Sequence, residues 1–335
     1  MAILPLSQVD PDLVHAFFAR LGKDRAHIAW KYFDPDFAKD KERGIVWLNK
    51  GEVRGFIGLI PARLQSAGDT SDFFWTCDWL LQDPKRSPGV GVRLLAEARK
   101  LFPQVGNVGG SDDTHAILPA LATTLTVDDA ALFYHRPLRT SALLERVEER
   151  LGFLPRLSRG IVGRIALATT TIPSEVHIVP CVAPDLEPLF AAPSATGCTV
   201  LYSQEHLDWL LGRCPDIVTT SLLLGEQGKW RAAALVWRNR DDRQRWRVVY
   251  RASISADLAI LARAVAGHCL AEGGTLVTTI IAAHDRGPAQ TLKKAGYLRG
   301  SVPWPLYLNK VDSLSSCSAG FTGMSYLDTD LACIY

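Results

Sequence analysis

The turn after an apolar segment near residue 80 combines the residue types of an anion-binding site. It consists of Arg86, Ser87, Pro88, Gly89, Val90 and Gly91. Its two glycines let the backbone adopt positive φ angles and approach a ligand closely. A helix that begins here points unpaired N–H groups and the positive end of its dipole at the turn, and Arg86 adds a charge. The turn is therefore predicted to bind a phosphate or pyrophosphate group.

An apolar stripe predicts the helix that follows the turn. The apolar residues at i, i+1, i+4, i+7 and i+8 are Leu94, Leu95, Ala98, Leu101 and Phe102. Two nucleotide-binding motifs do not fit. G-x-G-x-x-G needs a glycine where Leu94 stands, and G-x-x-x-x-G-K-[ST] does not occur in the sequence. The motif that the turn does match is R-x-x-G-x-G.

The first half of the chain is predicted to follow the order α-α-β-β-β-turn-α-β-α. A strand is expected over Phe73–Leu81, before the turn, and a short buried strand over Gln104–Gly110, after the helix. Ser111 and its neighbours offer N-cap residues for a closing helix. The segment Ala131–Leu154, rich in Arg and Glu, is interpreted as a further helix.

The second half repeats this plan weakly. The segment His206–Trp209 parallels His27–Trp30, and three strands are expected near Ile217–Leu224, Arg231–Arg238 and Arg245–Ile254. The helix that follows, over Ser255–Glu272, begins without a glycine-rich turn. We place the domain boundary near residue 172, which divides the chain into domains 1–172 and 173–335.

Composition restricts the partners and the compartment. The net charge is +2 with no Lys/Arg-rich block, so no nucleic-acid partner is expected. The seven cysteines are odd in number, widely spaced and without C-x-x-C, which favours reduced thiols over a disulfide framework or a metal site. The N-terminus lacks signal-peptide features, and no apolar run approaches the roughly 18 residues of a membrane span. A soluble, cytoplasmic protein without a metal is expected.

The motif R-x-x-G-x-G, with a strand before it and a helix after it, resembles the acyl-CoA pyrophosphate loop of the GCN5-related N-acetyltransferase (GNAT) superfamily. The stretch GPAQTLKKAGYLRG is similar to the last motif of that superfamily. With WKYFDP, CDWLLQDPKRSPGVGVRLL and SYLDTD, the chain resembles the tandem two-domain type associated with bacterial polysaccharide and sugar modification. The resemblance implies an α/β protein with two tandem GNAT-like domains, each a mixed central sheet flanked by helices.

The resemblance also implies a place for acetyl-CoA or another acyl-CoA. The pyrophosphate would bind to backbone N–H groups from Arg86 to Val92. Main-chain groups of Leu80, Leu81 and Gln82 would pair with the pantetheine arm, or else belong to ordinary sheet pairing. Pro88 departs from the family pattern, which has Arg or Lys more often at that position, so one positive contact is missing.

Such enzymes transfer the acyl group directly, so a side chain must take the proton of the attacking group. Asp78 is the candidate general base, because a carboxylate in an apolar strand can have a raised pKa. Its alternative role is a structural hydrogen-bond acceptor. Tyr134 is the candidate acid for the leaving thiolate, and its alternative is aromatic packing.

Three residues are candidates for contact with the acceptor. His115 is a candidate base or substrate contact, with helix capping or simple exposure as its alternative. Trp30 and Tyr32 are candidates to stack on a sugar ring at the domain interface, with core packing as their alternative.

The leading hypothesis is an acyl-CoA-dependent N- or O-acyltransferase. Its acceptor would be a small molecule, such as an amino sugar, a sugar nucleotide or another small amine or alcohol. One alternative is an aminoacyl transferase of the peptidoglycan-bridge type. The other is a non-catalytic binding protein that kept the fold.

Overall fold

The computed structural model describes residues 2–66, 69–139, 171–192, 198–283, 285–300 and 304–311, together with Leu314, Cys317 and Leu327. The helices are α1 Pro11–Arg20, α2 Arg25–Phe33, α3 Val90–Leu101, α4 Asp112–Ala120, α5 Glu187–Phe190, α6 Gln204–Leu207, α7 Ser255–Ala271 and α8 Arg286–Lys294. The strands of the first half are β1 Ala2–Pro5, β2 Gly44–Asn49, β3 Glu52–Ser66, β4 Asp69–Leu81, β5 Val105–Val108 and β6 Thr124–Pro137. Those of the second half are β7 Val176–Val179, β8 Cys198–Leu201, β9 Ile217–Glu226, β10 Lys229–Asn239, β11 Arg245–Ala252, β12 Leu276–Ala282, β13 Leu298–Arg299 and β14 Trp304–Asn309.

The strands form one mixed sheet with helices packed against it, which confirms the predicted fold class. Its order is β1-β2-β3-β4-β5-β14-β6-β12-β11-β10-β9-β7, and β8 and β13 pair with β3 and β6. Two neighbouring pairs are parallel, β4 with β5 and β11 with β12. Each half therefore contributes one antiparallel meander that ends in a parallel pair.

The last strands of the two halves are exchanged. Strand β14, from the end of the second half, lies between β5 and β6. Strand β6, from the end of the first half, pairs with β12 along seven residues, Ala131 to Pro137. Each half thus completes the sheet of the other, and a cut at residue 172 would separate β14 from the two strands on which it lies.

The helix over Val90–Leu101 confirms the prediction made from its apolar stripe. Its buried residues Val90, Leu94, Leu95 and Ala98 pack on apolar residues of β2 and β3. Leu101 is an exception, with 49% of its surface exposed, because the helix ends there, at the rim of the sheet.

Two tryptophans join the halves, one from each of the parallel segments His27–Trp30 and His206–Trp209. Trp30 Nε1 donates to the carbonyl of Trp209 at 2.9 Å, and Trp209 Nε1 donates to the carbonyl of Trp30 at 3.2 Å. Their rings stack at 5.0 Å between centroids. The contact is reciprocal, as expected for equivalent positions in two copies of one plan.

The helix predicted over Ala131–Leu154 is wrong at its start. Residues 124–137 form strand β6, because pairing with β14 on one edge and β12 on the other satisfies its backbone groups. Residues 140–154 lie outside the described part of the chain.

The expectation of reduced cysteines is wrong for one pair. Cys198 and Cys317 form a disulfide with their Cα atoms 5.2 Å apart. Such a pairing depends on proximity in the fold, and a sequence separation of 119 residues conceals it in the sequence. Cys77, Cys181, Cys214 and Cys269 form no disulfide within the described part of the chain.

No helix within the described ranges has the length and apolar character that crossing a bilayer requires.

Candidate active site

A bulge in β4 places Asp78. Phe56 of β3 pairs with Leu80, but Gly58 pairs with Cys77, so that Ile57 alone faces both Asp78 and Trp79. Asp78 has a φ of 42°, the left-handed region that aspartate tolerates better than most side chains. A bulge bends its strand and redirects a side chain, and it therefore turns this end of β4 away from the regular sheet.

The edge of β4 beyond residue 76 is open toward β5. The two parallel strands pair only at Phe74 with Val105 and at Trp75 with Gly106. At the next residue of β5, the Asn107 side chain rather than a main-chain group donates to the carbonyl of Thr76, at 3.3 Å. In the described ranges no strand covers residues 78–81 on that side, so those main-chain groups among them that point away from β3 are available to an extended ligand.

The predicted anion-binding turn leads directly from this open edge into α3. Gly89 is the N-cap residue of the helix, with a φ of 75° that favours glycine. The amides of Arg86, Ser87 and Val90 already donate within the turn, to Asp83 Oδ1 and to the carbonyls of Pro84 and Ser87.

Among the described residues, the amides of the turn that remain for a phosphate are those of Gly89, Gly91 and Val92. The geometry of a helix leaves the N–H groups of its first turn without a partner inside the helix. Pro88 has no N–H group to donate. The Arg86 side chain is 88% exposed and lies 3.3 Å from the Asp83 carboxylate, so its guanidinium is accessible beside the turn.

Trp79 ties the bulge to the turn. Its Nε1 donates to the carbonyl of Gly91 at 3.0 Å. A Cβ atom on Gly91 would lie 3.2 Å from this nitrogen, closer than is usual. The second glycine of the motif therefore makes room for Trp79 beneath the helix, which fixes the turn relative to Asp78.

Two side chains of α2 hold the carboxylate of Asp78. Lys31 Nζ lies 2.7 Å from its Oδ2, and the Tyr32 hydroxyl donates to the same oxygen at 2.5 Å. Burial by itself would raise the pKa of Asp78, but the charge and hydrogen bond of Lys31 and the hydrogen bond of Tyr32 together lower it. The raised pKa that the sequence suggested is therefore wrong, since Lys31 supplies a counter-charge.

Gly58 gives Tyr32 access to this carboxylate. A Cβ atom at residue 58 would overlap the Tyr32 hydroxyl and lie 2.8 Å from Cys77 Sγ. Only glycine leaves space for the phenol to cross β3 and reach Asp78. Burial and the charge of Asp78 raise the pKa of Tyr32, so its hydroxyl stays protonated and remains a donor.

Asp78 also lines a cleft of about 480 Å³ between the halves. One wall consists of Lys23 and Asp24 in the α1–α2 connection and His27 in the first turn of α2, and the other contains Asp216 and the segment Asn239–Asp242. His27 Nδ1 and Asp216 Oδ2 are hydrogen-bonded across the cleft. This cleft is the space next to Asp78 in which a second substrate can be held.

Of the other residues predicted for catalysis or acceptor contact, Tyr32 alone contacts Asp78 among the described residues. Tyr134 is buried on β6, opposite Thr279 of β12. Strand β6 is three strand spacings of about 4.8 Å from β4, roughly 14 Å in all. The indole of Trp30 is buried against Trp209. The catalytic and sugar-stacking roles of these residues stay predictions.

His115 lies in α4 beside the end of β5. Its Nδ1 is 2.8 Å from the hydroxyl of Tyr307, on β14. Burial and the charge of Asp128 raise the pKa of Tyr307. The hydroxyl that His115 contacts therefore comes from β14, a strand that is distant in sequence.

Sequence reasoning did not identify Lys31, Gly58 or Trp79 as part of the site. Lys31 stands inside the aromatic run Trp30–Phe33 and is only 2% exposed. A lysine in such a run indicates a buried anionic partner, because an unpaired charge is costly to bury. Gly58 and Trp79 left no comparable signal, since their roles depend on the register of β3 against β4.

The matching position of the second half is built differently. Helix α7 begins directly after β11 with an N-cap at Ile254, and Arg231 Nε donates to both carboxylate oxygens of Asp257 at 3.2 Å. A carboxylate of the protein itself thus occupies the first turn of α7, where an anion would bind. Among the described residues no cluster of three or more metal-ligating side chains is found.

No protein-family model matches the sequence, and comparison with curated proteins gives no match. Solved structures do match. N-myristoyltransferase from Saccharomyces cerevisiae with bound myristoyl-CoA has 13% identity and a TM-score of 0.59, over 96% of this chain and 89% of that one. A GCN5-related N-acetyltransferase from Anabaena variabilis has 11% identity and a TM-score of 0.59, over 91% and 72%.

A tandem GNAT protein from the clavulanic acid biosynthesis pathway matches over nearly its whole length. It has 12% identity and a TM-score of 0.55, and the match covers 92% of this chain and 98% of that one. Together with the sheet described above, these matches show the tandem GNAT fold.

Proposed function

We propose, with the GNAT fold as the premise, that this chain transfers an acyl group from acyl-CoA to a small amine or alcohol. The observation that carries the proposal is the open edge of β4 between the bulge at Asp78 and the turn before α3. This edge offers main-chain partners to an extended arm and ends at a helix N-terminus suited to a pyrophosphate.

In this proposal acyl-CoA lies along the first half. Its pantetheine arm pairs with main-chain groups of Leu80 and Leu81. The Gln82 amide already donates to the carbonyl of Arg54 at 2.9 Å, which leaves its carbonyl for the ligand. The pyrophosphate binds to the amides of Gly89, Gly91 and Val92, with Arg86 beside it. The second half lacks an equivalent turn, which supports one acyl-CoA per chain.

The acceptor enters the cleft between the halves. Its nitrogen or oxygen attacks the thioester carbonyl, the C–S bond breaks, and the thiolate leaves as CoA. The attacking group must lose one proton. Asp78 accepts that proton late, once the new bond has made the attacking atom strongly acidic, which a carboxylate with a lowered pKa can do.

The identity of the acceptor and of the acyl group is proposed from the sequence resemblance and from one structural match. Acetyl is the proposed acyl group and an amino sugar or sugar nucleotide the proposed acceptor, both from the sequence resemblance. The match to an N-myristoyltransferase with bound myristoyl-CoA adds a long acyl chain as a second donor to test. A cytoplasmic location is proposed from the sequence, and the disulfide between Cys198 and Cys317 is the observation that opposes it, since disulfides persist mainly in oxidising compartments.

Binding of the donor is the first test. Purified protein should gain thermal stability with acetyl-CoA or myristoyl-CoA, because a ligand of the folded state raises the melting temperature. Arg86→Glu should weaken binding at least about tenfold, or about 1.4 kcal/mol. Lys100→Glu, a charge reversal at the opposite end of α3, is the matched control and should leave the affinity unchanged. Absence of a thermal shift with either donor would refute the proposal.

Turnover is the second test. An acceptor screen that follows free CoA should find release that depends on both donor and acceptor. Donor binding without CoA release from any amine or alcohol would favour a binding protein that kept the fold.

A further inference from the structure

We propose that Lys31 and Tyr32 are positioning residues that hold Oδ2 of Asp78 so that Oδ1 receives the attacking group of the acceptor. This inference rests on the proposed function and goes beyond it, because it assigns roles to two residues that need not touch either substrate. It is drawn from the bulge, the two hydrogen bonds and the cleft described above.

Both contacts of Asp78 converge on one oxygen. Lys31 Nζ is 2.7 Å from Oδ2, and the Tyr32 hydroxyl is 2.5 Å from it. Among the described residues Oδ1 has no hydrogen-bond donor, although the carboxylate borders the cleft and is 11% exposed. One oxygen is therefore fixed by protein and the other is directed to a ligand.

The helix that supplies both side chains is itself fixed. Asp24 caps α2 by accepting from the amides of Ala26 and His27. Arg43 donates to the carbonyl of Lys31, at the end of the same helix. Adjacent residues on a capped helix hold the carboxylate more firmly than residues on two independent loops would. A reacting group must be held in a fixed position and orientation in this way.

Gly58 is independent evidence that the Tyr32 contact is built into the fold. Any side chain at residue 58 would overlap the Tyr32 hydroxyl. A glycine in a strand interior weakens the strand, so its presence here needs a local reason. The passage of the phenol toward Asp78 is that reason.

Lys31 sets the charge state of the carboxylate. A buried carboxylate without a counter-charge takes up a proton and can no longer accept one from a substrate. Lys31 is itself buried, so the pair exchanges little with solvent. The fixed ammonium therefore keeps Asp78 ionised over the pH range in which an amine or alcohol could react.

Other charged groups face the same carboxylate. Cys77 precedes it on β4, and Lys23 approaches it from the α1–α2 connection. The remaining charged or titratable groups of the cleft are Asp24, His27, Asp216, Arg240, Asp241 and Asp242. These groups are unchanged in the variants below, so a change in pH dependence reports the removed contact.

The test is the acidic limb of the pH profile of kcat/KM, measured by CoA release. Lys31→Met should move this limb up by about one to three pH units, because an opposite charge at this distance depresses a carboxyl pKa by about that much. Tyr32→Phe should move it in the same direction by less. Lys31→Arg should restore most of the wild-type profile.

Two matched controls remove similar contacts elsewhere. Tyr250→Phe deletes a buried hydroxyl that lies 2.6 Å from the Tyr297 hydroxyl. Lys41→Met deletes the ion pair with Asp72 at the surface. Both should leave the acidic limb in place. In Tyr32→Phe the affinity for acyl-CoA should stay within about twofold of the wild-type value. The turn before α3, which is proposed to bind the donor, lies on the far side of the bulge from Tyr32.

A second readout does not need turnover. The ¹³C signal of the Asp78 carboxyl, assigned by its loss in Asp78→Asn, should titrate at a higher pH in Tyr32→Phe and Lys31→Met. If Lys31→Met does not fold, Tyr32→Phe and Gly58→Ala provide the same comparison. Wild-type protein without donor binding or CoA release would refute the proposed function. Active protein whose acidic limb and carboxyl titration are the same in Tyr32→Phe and Lys31→Met as in wild type would refute this inference alone.

Discussion

Replacing Gly58 by alanine tests the most constrained contact in the site. The new Cβ atom would overlap the Tyr32 hydroxyl and lie 2.8 Å from both Tyr32 Cε1 and Cys77 Sγ, whereas ordinary contacts begin near 3.4 Å. The phenol must therefore move, and its 2.5 Å hydrogen bond to Asp78 is lost.

The magnitude follows from two effects. Overpacking a core by one methyl group costs about 1–3 kcal/mol. Losing a hydrogen bond to a charged group costs about 1.5–3 kcal/mol. Gly58→Ala should therefore lower the free energy of unfolding by about 2.5–6 kcal/mol, and Tyr32→Phe, which loses only the hydrogen bond, by about 1.5–3 kcal/mol.

The decisive measurement is a double-mutant cycle by urea denaturation, followed by circular dichroism. Both single variants lose the same hydrogen bond, so the double variant should be more stable than additivity predicts by about 1.5–3 kcal/mol. Gly287→Ala, at a helical glycine with open space around it, is the control and should not be destabilising. Additivity of Gly58→Ala and Tyr32→Phe within about 0.5 kcal/mol would refute the steric link between residues 58 and 32.

Three further outcomes are expected. Burial and the charge of Arg43 lower the pKa of His206 from 6.5 to about 3. As the pH falls from 6.5 toward 3, the unfolded state therefore binds a proton that the folded state does not, and the free energy of unfolding decreases. His206→Phe should remove this loss, which approaches about 1.4 kcal/mol per pH unit, in urea titrations across that range. Trp209→Ala should lower the free energy of unfolding by about 3–5 kcal/mol, because it removes the stacked ring and both hydrogen bonds to Trp30; a loss below about 1 kcal/mol would contradict a role in joining the halves. Asp78→Asn should lower the free energy of unfolding by about 3–5 kcal/mol at pH 7, because it removes the carboxylate that lies 2.7 Å from the buried ammonium of Lys31. The pKa of Asp78 is lowered in the folded state, so ionised Asp78 stabilises the protein fully above the ordinary pKa of about 3.9, and this stabilisation is lost as the pH falls below it. The unfolding free energies of wild type and Asp78→Asn should therefore converge in acid.

Local sequence signals predicted the turn and its helix well. These signals are local, because Gly89 and the apolar stripe of Leu94, Leu95 and Ala98 lie within a few helical turns of each other in the sequence. The structure confirms the helix that they predict. The strand before the turn was also predicted from local composition. Its bulge was not, because a bulge is a property of two paired strands, and Ile57 had to be aligned with Asp78 to reveal it.

The contacts of Asp78 show why the chemistry was harder to predict than the fold. An apolar strand around a carboxylate suggested a raised pKa, yet the partner that reverses the shift lies 47 residues away at Lys31. The two residues meet because α2 packs against the β3–β4 pair. Strand β6 was misread for a related reason, since both strands that pair with it, β12 and β14, come from the second half of the chain.

The place of β14 has a consequence for the synthesis of the chain. Strand β5 is held on one edge by only two residue pairs with β4, and on the other by three with β14. Until residues 304–309 have left the ribosome, β5 lacks its pairing with β14 and exposes an unpaired edge. Strand β5 lies beside the open edge of β4 to which the donor is proposed to bind. This part of the sheet is thus completed only after the second half has been synthesised, and the disulfide between Cys198 and Cys317 then links β8 to a residue C-terminal to β14.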